Sequence, residues 1–279
     1  MTMEDNLMMK LRPVIGWGVA QAYRLAGART RAVAAVRKPG AVLPIVFHAA
    51  KAEEVRRILG WLKRANCLDH CWLSFDDGWR EFKDTVKVLE EFEKSATLFV
   101  APGETQRGNV WTDGLSVPER QRLYGVDEES RYNEIALLKT NGAPGVCALP
   151  AGERALLTEA EVREIARHPL VRIGNHTWSH MSCTHRPVTE VLAEVDRAQA
   201  TLTEWCGYAP TDFAYPFGRG TVELDKEIRK RGLVPHYTRQ GLVTKETLGA
   251  ARNMVYEGMS LAENLGRILM AWPKVGVTL

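Results

Sequence analysis

An α/β fold, a distorted TIM-like (β/α)7 barrel, is what the sequence predicts, on three observations. Short apolar runs alternate with helical patterns some seven times along the chain, the signature of β/α units around a parallel sheet. The runs are three to six residues long, the length of buried strands rather than buried helices. The residues able to do chemistry fall at the C-terminal ends of those runs, where barrel folds carry their sites.

The elements follow in order. Residues 43–48 read as the first strand, and 53–63 as an amphipathic helix with Val55, Ile58, Leu59 and Leu62 at helical spacing. Residues 72–75 are a strand, 82–92 a helix and 97–100 a third strand. Residues 103–156 break this rhythm with Gly, Pro and charge and hold two short helices near Glu119 and Ile135. An insertion of this length shapes a site or a partner surface. Thr158 and Glu161 form a capping box for a helix through Ala166, and 171–174 form a strand. A helix over 188–205, a strand over 213–215, a helix over 222–230, strands over 235–238 and 252–256, and a helix over 261–271 complete the pattern. The expected organisation is a basic arm or helix over residues 1–40 and a catalytic domain over 41–279.

Of 279 residues, 45% are hydrophobic, ample for a core. Residues 1–40 carry seven Lys/Arg against Glu4 and Asp5, so the net +3 of the whole chain leaves −2 for the rest. A nearly neutral body argues against nucleic acid as a partner. The basic arm, with Leu11, Ile15, Trp17, Val19 and Tyr23 between its charges, reads as a helix packed on the barrel; weak association with an anionic membrane surface is the alternative. Five cysteines, odd in number and without Cys-x-x-Cys spacing, read as reduced thiols. With no apolar run of 18 residues and no convincing signal peptide, a cytoplasmic location is expected.

Phe75-Asp76-Asp77-Gly78 closes the second strand, and Gly174-Asn175-His176-Thr177-Trp178-Ser179-His180 closes a later one. Alone, Asp-Asp-Gly is a common turn and two histidines four apart are cheap. Together at strand ends, followed by Tyr215-Pro216-Phe217-Gly218 at a third, they make a metal site. An Asp and two His leave an open position on zinc, and the other carboxylate is free as a base.

Ser74-Phe75-Asp76-Asp77-Gly78 resembles the first motif of the polysaccharide deacetylases, the NodB-homology domain of carbohydrate esterase family 4. His176-Thr177-Trp178-Ser179-His180 resembles the second, and Phe213-Ala214-Tyr215-Pro216-Phe217-Gly218 the third. The resemblance covers roughly residues 42–256. It implies a NodB-type barrel, Asp76 as catalytic base, Asp77, His176 and His180 as ligands of Zn2+ or another divalent transition metal, and the Phe217 backbone N–H as oxyanion donor. Where the third motif often starts with a base-orienting Arg, this chain has Ala214; Arg219 or Arg252 are the candidates to replace it. The family's fourth motif, with its Asp and Trp, is absent, as is its C-terminal Leu-x-His, the source of the general acid. Pro44-Ile45-Val46-Phe47-His48 is similar to the opening strand of the family's circularly permuted branch, which makes His48 the acid, with His236 as runner-up. Trp111, Trp178 and Tyr215 are core aromatics by default, and sugar-stacking residues otherwise.

The implied activity is metal-dependent N-deacetylation of an amino sugar in cell-surface polysaccharide or lipopolysaccharide biosynthesis, on a nucleotide-linked, lipid-linked or polymeric substrate. N-deformylation is the alternative within that chemistry. A non-catalytic carbohydrate-binding protein on the same fold is the alternative outside it.

Overall fold

The computed structural model describes residues 28–140 and 155–270. The first 27 residues of the predicted arm and part of the predicted insertion therefore lie outside the described residues. Helix α1 (Ala28–Val36) precedes β1 (Leu43–Phe47), α2 (Ala52–Arg64), β2 (Cys71–Phe75), α3 (Phe82–Glu91) and β3 (Ala96–Val100). The insertion holds α4 (Pro102–Arg107), α5 (Val117–Leu123) and α6 (Glu128–Thr140). Then come α7 (Glu159–Ile165), β4 (Val171–Asn175), α8 (Val188–Cys206), β5 (Asp212–Ala214), α9 (Val222–Lys230), β6 (Val234–His236), β7 (Asn253–Met254) and α10 (Leu261–Met270).

All seven strands pair in parallel, in the order β6-β5-β4-β3-β2-β1-β7. The curled sheet thus has β6 and β7 as its free edges, and the predicted distorted barrel is a half-barrel whose closure is left to loops. Every residue of β1 and β3 is buried, because a parallel strand flanked by helices has no wet face. Each fully buried Leu, Ile or Val contributes about 1.5–3 kcal/mol, and the strand residues join Val55, Ile58, Leu59 and Leu62 of α2 in the main core. The inner face is filled by aromatic and charged groups: Trp72 stacks on His236 at 4.6 Å, with Phe99 5.5 Å from His236 and the Arg252 guanidinium 5.1 Å from Phe99.

The capping box forms as predicted: the Thr158 hydroxyl accepts the Glu161 N–H at 3.3 Å, and the Glu161 carboxylate accepts the Thr158 N–H at 2.8 Å. Helix α4 is the element that the pattern did not predict, although Pro102 in its first turn is a start signal. Helix α1 packs against α10. Cys67, Cys71, Cys183 and Cys206 are free thiols, as expected, and Cys147 lies outside the described residues. Among the described residues no helix is long and apolar enough to cross a membrane.

Candidate metal centre and active site

Register places the site. Phe47 of β1 lies opposite Phe75 of β2, so the next residues, His48 and Asp76, emerge level at the C-terminal end of the sheet, tied by the Asp76 N–H to the Phe47 carbonyl at 2.9 Å. Phe75 also lies opposite Leu98, and Leu98 opposite Ile173, which brings the end of β4 and its histidines to the same rim. His48 Nε2 is 4.0 Å from Asp76 Oδ2, and its side chain is 36% exposed to the cleft where Asp76 is 3%.

Asp77 Oδ1 lies 3.4 Å from His176 Nε2 and 3.2 Å from His180 Nε2, and the three ligand atoms lie within 4.8 Å of one another. All three residues are buried. Asp77 Oδ1 has no hydrogen-bond partner, an orphaned buried anion that a protein does not leave uncompensated. Burial would raise the Asp77 carboxyl, yet the two flanking imidazoles hold it well below the ordinary range. His176 Nδ1 donates to the Ala214 carbonyl at 2.7 Å, which leaves Nε2 with its lone pair toward Asp77. One carboxylate and two imidazole nitrogens, converging on an oxygen without a donor, fit a divalent transition metal, zinc among them.

The motifs fold this way at a cost in backbone strain. Of six non-glycine residues with positive φ among the described residues, four are here: Asp77 (73°), Thr177 (61°), His180 (48°) and Phe217 (60°). Each such position costs on the order of 1 kcal/mol or more. Gly218 follows in the same left-handed region, and a Cβ there would lie 2.3 Å from Thr238 Cβ, so only glycine fits.

Of the two candidate arginines, Arg252 is the one paired with Asp76. Its guanidinium donates to both Asp76 oxygens, at 2.6 and 2.9 Å, and is fully buried. Burial alone would raise the Asp76 carboxyl; Arg252, then His176 and His48, outweigh it and hold the carboxyl below its ordinary range. Arg219 plays no part in that pair. His236, the runner-up for general acid, is corrected by the structure: it is fully buried inside the barrel, with Nε2 2.7 Å from Asp212 Oδ1 and its ring on Trp72. Trp111, Trp178 and Tyr215 are buried at 3%, 6% and 0% exposure, as core aromatics are.

Two residues, Trp79 and Arg131, and the hydrogen-bonding role of Trp111 escaped the sequence reading. Trp79 donates its indole N–H to Asp77 Oδ2 at 3.1 Å. Trp111 donates its own to the His180 carbonyl at 2.9 Å. Arg131 of α6, 1% exposed, donates to the Ser179 carbonyl and hydroxyl at 3.0 and 2.9 Å. The last two belong to the predicted insertion, which does shape the site: it grips the loop between the two histidines from behind. Within it Glu104, buried and pushed up to about 8 by burial, accepts from the Trp111 backbone N–H at 2.6 Å and from the Tyr132 hydroxyl. The Phe217 ring packs between Trp111, Tyr124 and the His180 ring. In front lies a cleft of about 400 Å³ lined by His48, Asp77, Trp79, Asp113, Arg120 and Glu257, among others.

A pinned carboxylate beside a carboxylate–imidazole ligand set, on the rim of a parallel half-barrel, is the equipment of a hydrolase that acts on amide bonds. The family model "Polysaccharide deacetylase" matches residues 63–236. The chain belongs to the polysaccharide deacetylase family, carbohydrate esterase family 4. Among solved structures it is similar to the Streptococcus pyogenes deacetylase PplD in complex with acetate (15% identity, 83% of this chain and 99% of that one, TM-score 0.56). It is also similar to a polysaccharide deacetylase from Bacillus cereus (14%, 82% and 69%, 0.55) and to IcaB from Ammonifex degensii (16%, 81% and 97%, 0.52). No curated protein matches the chain.

Proposed function

We propose that the protein removes the N-acetyl group of an amino sugar in a cell-surface polysaccharide or lipopolysaccharide, or in its nucleotide- or lipid-linked precursor. A divalent transition metal, zinc in the first place, would be held by Asp77, His176 and His180. The observation that carries the reading is the Arg252–Asp76 pair beside that ligand set, level with His48. A cation bound there would polarise the amide carbonyl and acidify a water. Asp76, kept ionised by Arg252, takes the proton from the attacking water. The Phe217 N–H stabilises the developing oxyanion, and a main-chain donor is indifferent to the side chain it carries. His48 gives a proton to the leaving nitrogen, since an amine leaves poorly without one. Its adjacency to Asp76 across β1 and β2 supports that role, because a strand at the start of the chain then supplies what a C-terminal strand would.

The pinned base also counts against a purely carbohydrate-binding protein, which has no use for a buried carboxylate oriented by a buried arginine. Acetate in the PplD structure favours acetyl over formyl as the group removed. With this reading goes a proposed cytoplasmic location, which cell fractionation checks.

The test is to load the protein with metal, offer a panel of N-acetylated and N-formylated glycans, sugar nucleotides and lipid-linked sugars, and measure released acetate and formate. Acetate release from one class establishes the reading; release of neither acid from any substrate by metal-replete protein overturns it. His48→Ala should bind metal normally and lose about 10²- to 10⁴-fold in kcat, the usual worth of a positioned acid. Near-normal turnover in that variant would remove His48 from the mechanism.

A further inference from the structure

We propose that Trp79 is a positioning residue that holds Asp77 to one-oxygen ligation, so that its second oxygen does not take up coordination needed for the reaction. This rests on the metal-centre reading above.

A carboxylate has two equivalent oxygens and can chelate through both, and the structure shows that these two are not equivalent. Oδ2 accepts the Trp79 indole N–H at 3.1 Å, while Oδ1 has no donor and faces the two histidine Nε2 atoms at 3.2 and 3.4 Å. The donor must give up its bond, or the carboxylate must rotate against it, before Oδ2 could turn to the ion. Three further observations make the indole a fixed support. Asp77 stands at φ 73°, outside the conformations a side chain would choose, so its direction is set by the turn and by what holds the carboxylate. Trp79 is held by an antiparallel bridge between its backbone and Leu156. Nearby, the Arg80 N–H donates to the Ala155 carbonyl at 3.0 Å and the Leu157 N–H to the Gly78 carbonyl at 2.9 Å.

The remaining ligands have supports of their own. His176 is oriented by the Ala214 carbonyl, and His180 is tethered through its backbone carbonyl by Trp111. Trp79 supplies the carboxylate with its counterpart, and outer partners of this kind are worth about 10- to 100-fold in metal affinity or activity when removed. Trp79 also lines the cleft, beside Asp77.

The experiment is Trp79→Phe, which keeps the aromatic bulk and deletes the donor. Zinc affinity is measured by competition with a chromogenic chelator. The cobalt-substituted protein is examined by visible absorption, whose intensity falls as the coordination number rises, and the melting temperature of the metal-free protein reports folding. The expected result is zinc affinity about 10- to 100-fold weaker, a paler cobalt spectrum and unchanged metal-free melting. Trp79→Gln, which restores an amide N–H, should recover part of the spectrum and keeps the test open should the Phe variant fold poorly. Wild-type affinity and spectrum in Trp79→Phe would overturn the proposal. A loss of turnover with both unchanged would overturn it too, since Trp79 would then act on substrate alone. If the wild-type protein binds no metal, the metal-centre reading itself has failed, a different outcome from these.

Discussion

Among the described residues, buried histidines meet an aspartate in two places, and the two associations differ in what they leave unfinished. Inside the barrel, His236 Nε2 and Asp212 Oδ1 meet at 2.7 Å in an ordinary hydrogen bond, the ring stacked on Trp72 and its backbone in a regular strand. At the rim, Asp77 Oδ1 lies between two imidazole nitrogens at 3.2 and 3.4 Å with no bond completed, on backbone twisted into the left-handed region. The same residue types yield a completed hydrogen bond in one place and a buried oxygen without a donor in the other. An unsatisfied, strained arrangement is retained where a ligand completes it, and a satisfied one where packing is the whole purpose.

Substitutions can test that contrast. The largest effect is expected from His180→Ala, which should lose the metal by elemental analysis and take turnover with it. Asp76→Asn should keep the metal and lose about 10²- to 10⁴-fold in kcat, since it removes the base and no ligand. Full metal retention in His180→Ala would dismiss the rim site as a metal centre.

Arg252→Lys comes next. A lysine cannot hold both oxygens of Asp76, and a misplaced base should cost about 10²-fold in kcat. The pH profile separates this from general damage. Arg252 is the chief influence lowering the Asp76 carboxyl, so without its fork the carboxyl binds protons at higher pH and the acidic limb of the rate profile should move upward. An unmoved limb would deny Arg252 its role.

His236→Phe is expected to have the smallest effect, with metal content and turnover unchanged and stability lowered by about 1–3 kcal/mol for the lost bond to Asp212. Burial holds the His236 imidazole below its ordinary 6.5, so the folded protein takes up this proton later than the unfolded chain does. Stability of the wild type should therefore fall as pH drops below about 6.5, and that part of the fall should vanish in the Phe variant. Denaturant titrations across pH measure it. A loss of turnover in His236→Phe would erase the distinction between the two associations.

Much of this was legible in the sequence. Strands and helices could be placed within a residue or two because each is a local pattern, and the ligands because they lie in two short motifs. Arg252 was one of two candidates, and no local rule could choose between them: its partner Asp76 is 176 positions away. Arg131 and Glu104 were invisible for a different reason. A charged residue reads as solvated unless its buried partner is known, and α6 has no strong apolar face to show which side turns inward. Trp79, two residues after Asp77, was the nearest to a readable signal, an indole donor within reach of a ligand carboxylate. Ala214 misled in an instructive way, since its side chain lacks the expected arginine while its carbonyl orients His176.

The open side of the half-barrel bears on how the molecule ages under heat. No strand pairing joins β6 to β7; the seam is stitched by the Asn253 amide bonded to the Gly241 backbone, by the Tyr237 N–H donating to the Gly249 carbonyl at 2.8 Å, and by Arg252, whose backbone N–H donates to the Arg239 carbonyl at 2.8 Å while its side chain reaches the Tyr237 carbonyl and the Thr238 hydroxyl at 3.4 Å. The same side chain pins Asp76. Local opening along an unpaired edge requires less free energy than global unfolding, so warming should slacken the grip on Asp76 while the rest of the sheet still holds. Heat inactivation followed beside the melting transition should then show activity failing first and returning on cooling, with the seam acting as the enzyme's thermal fuse.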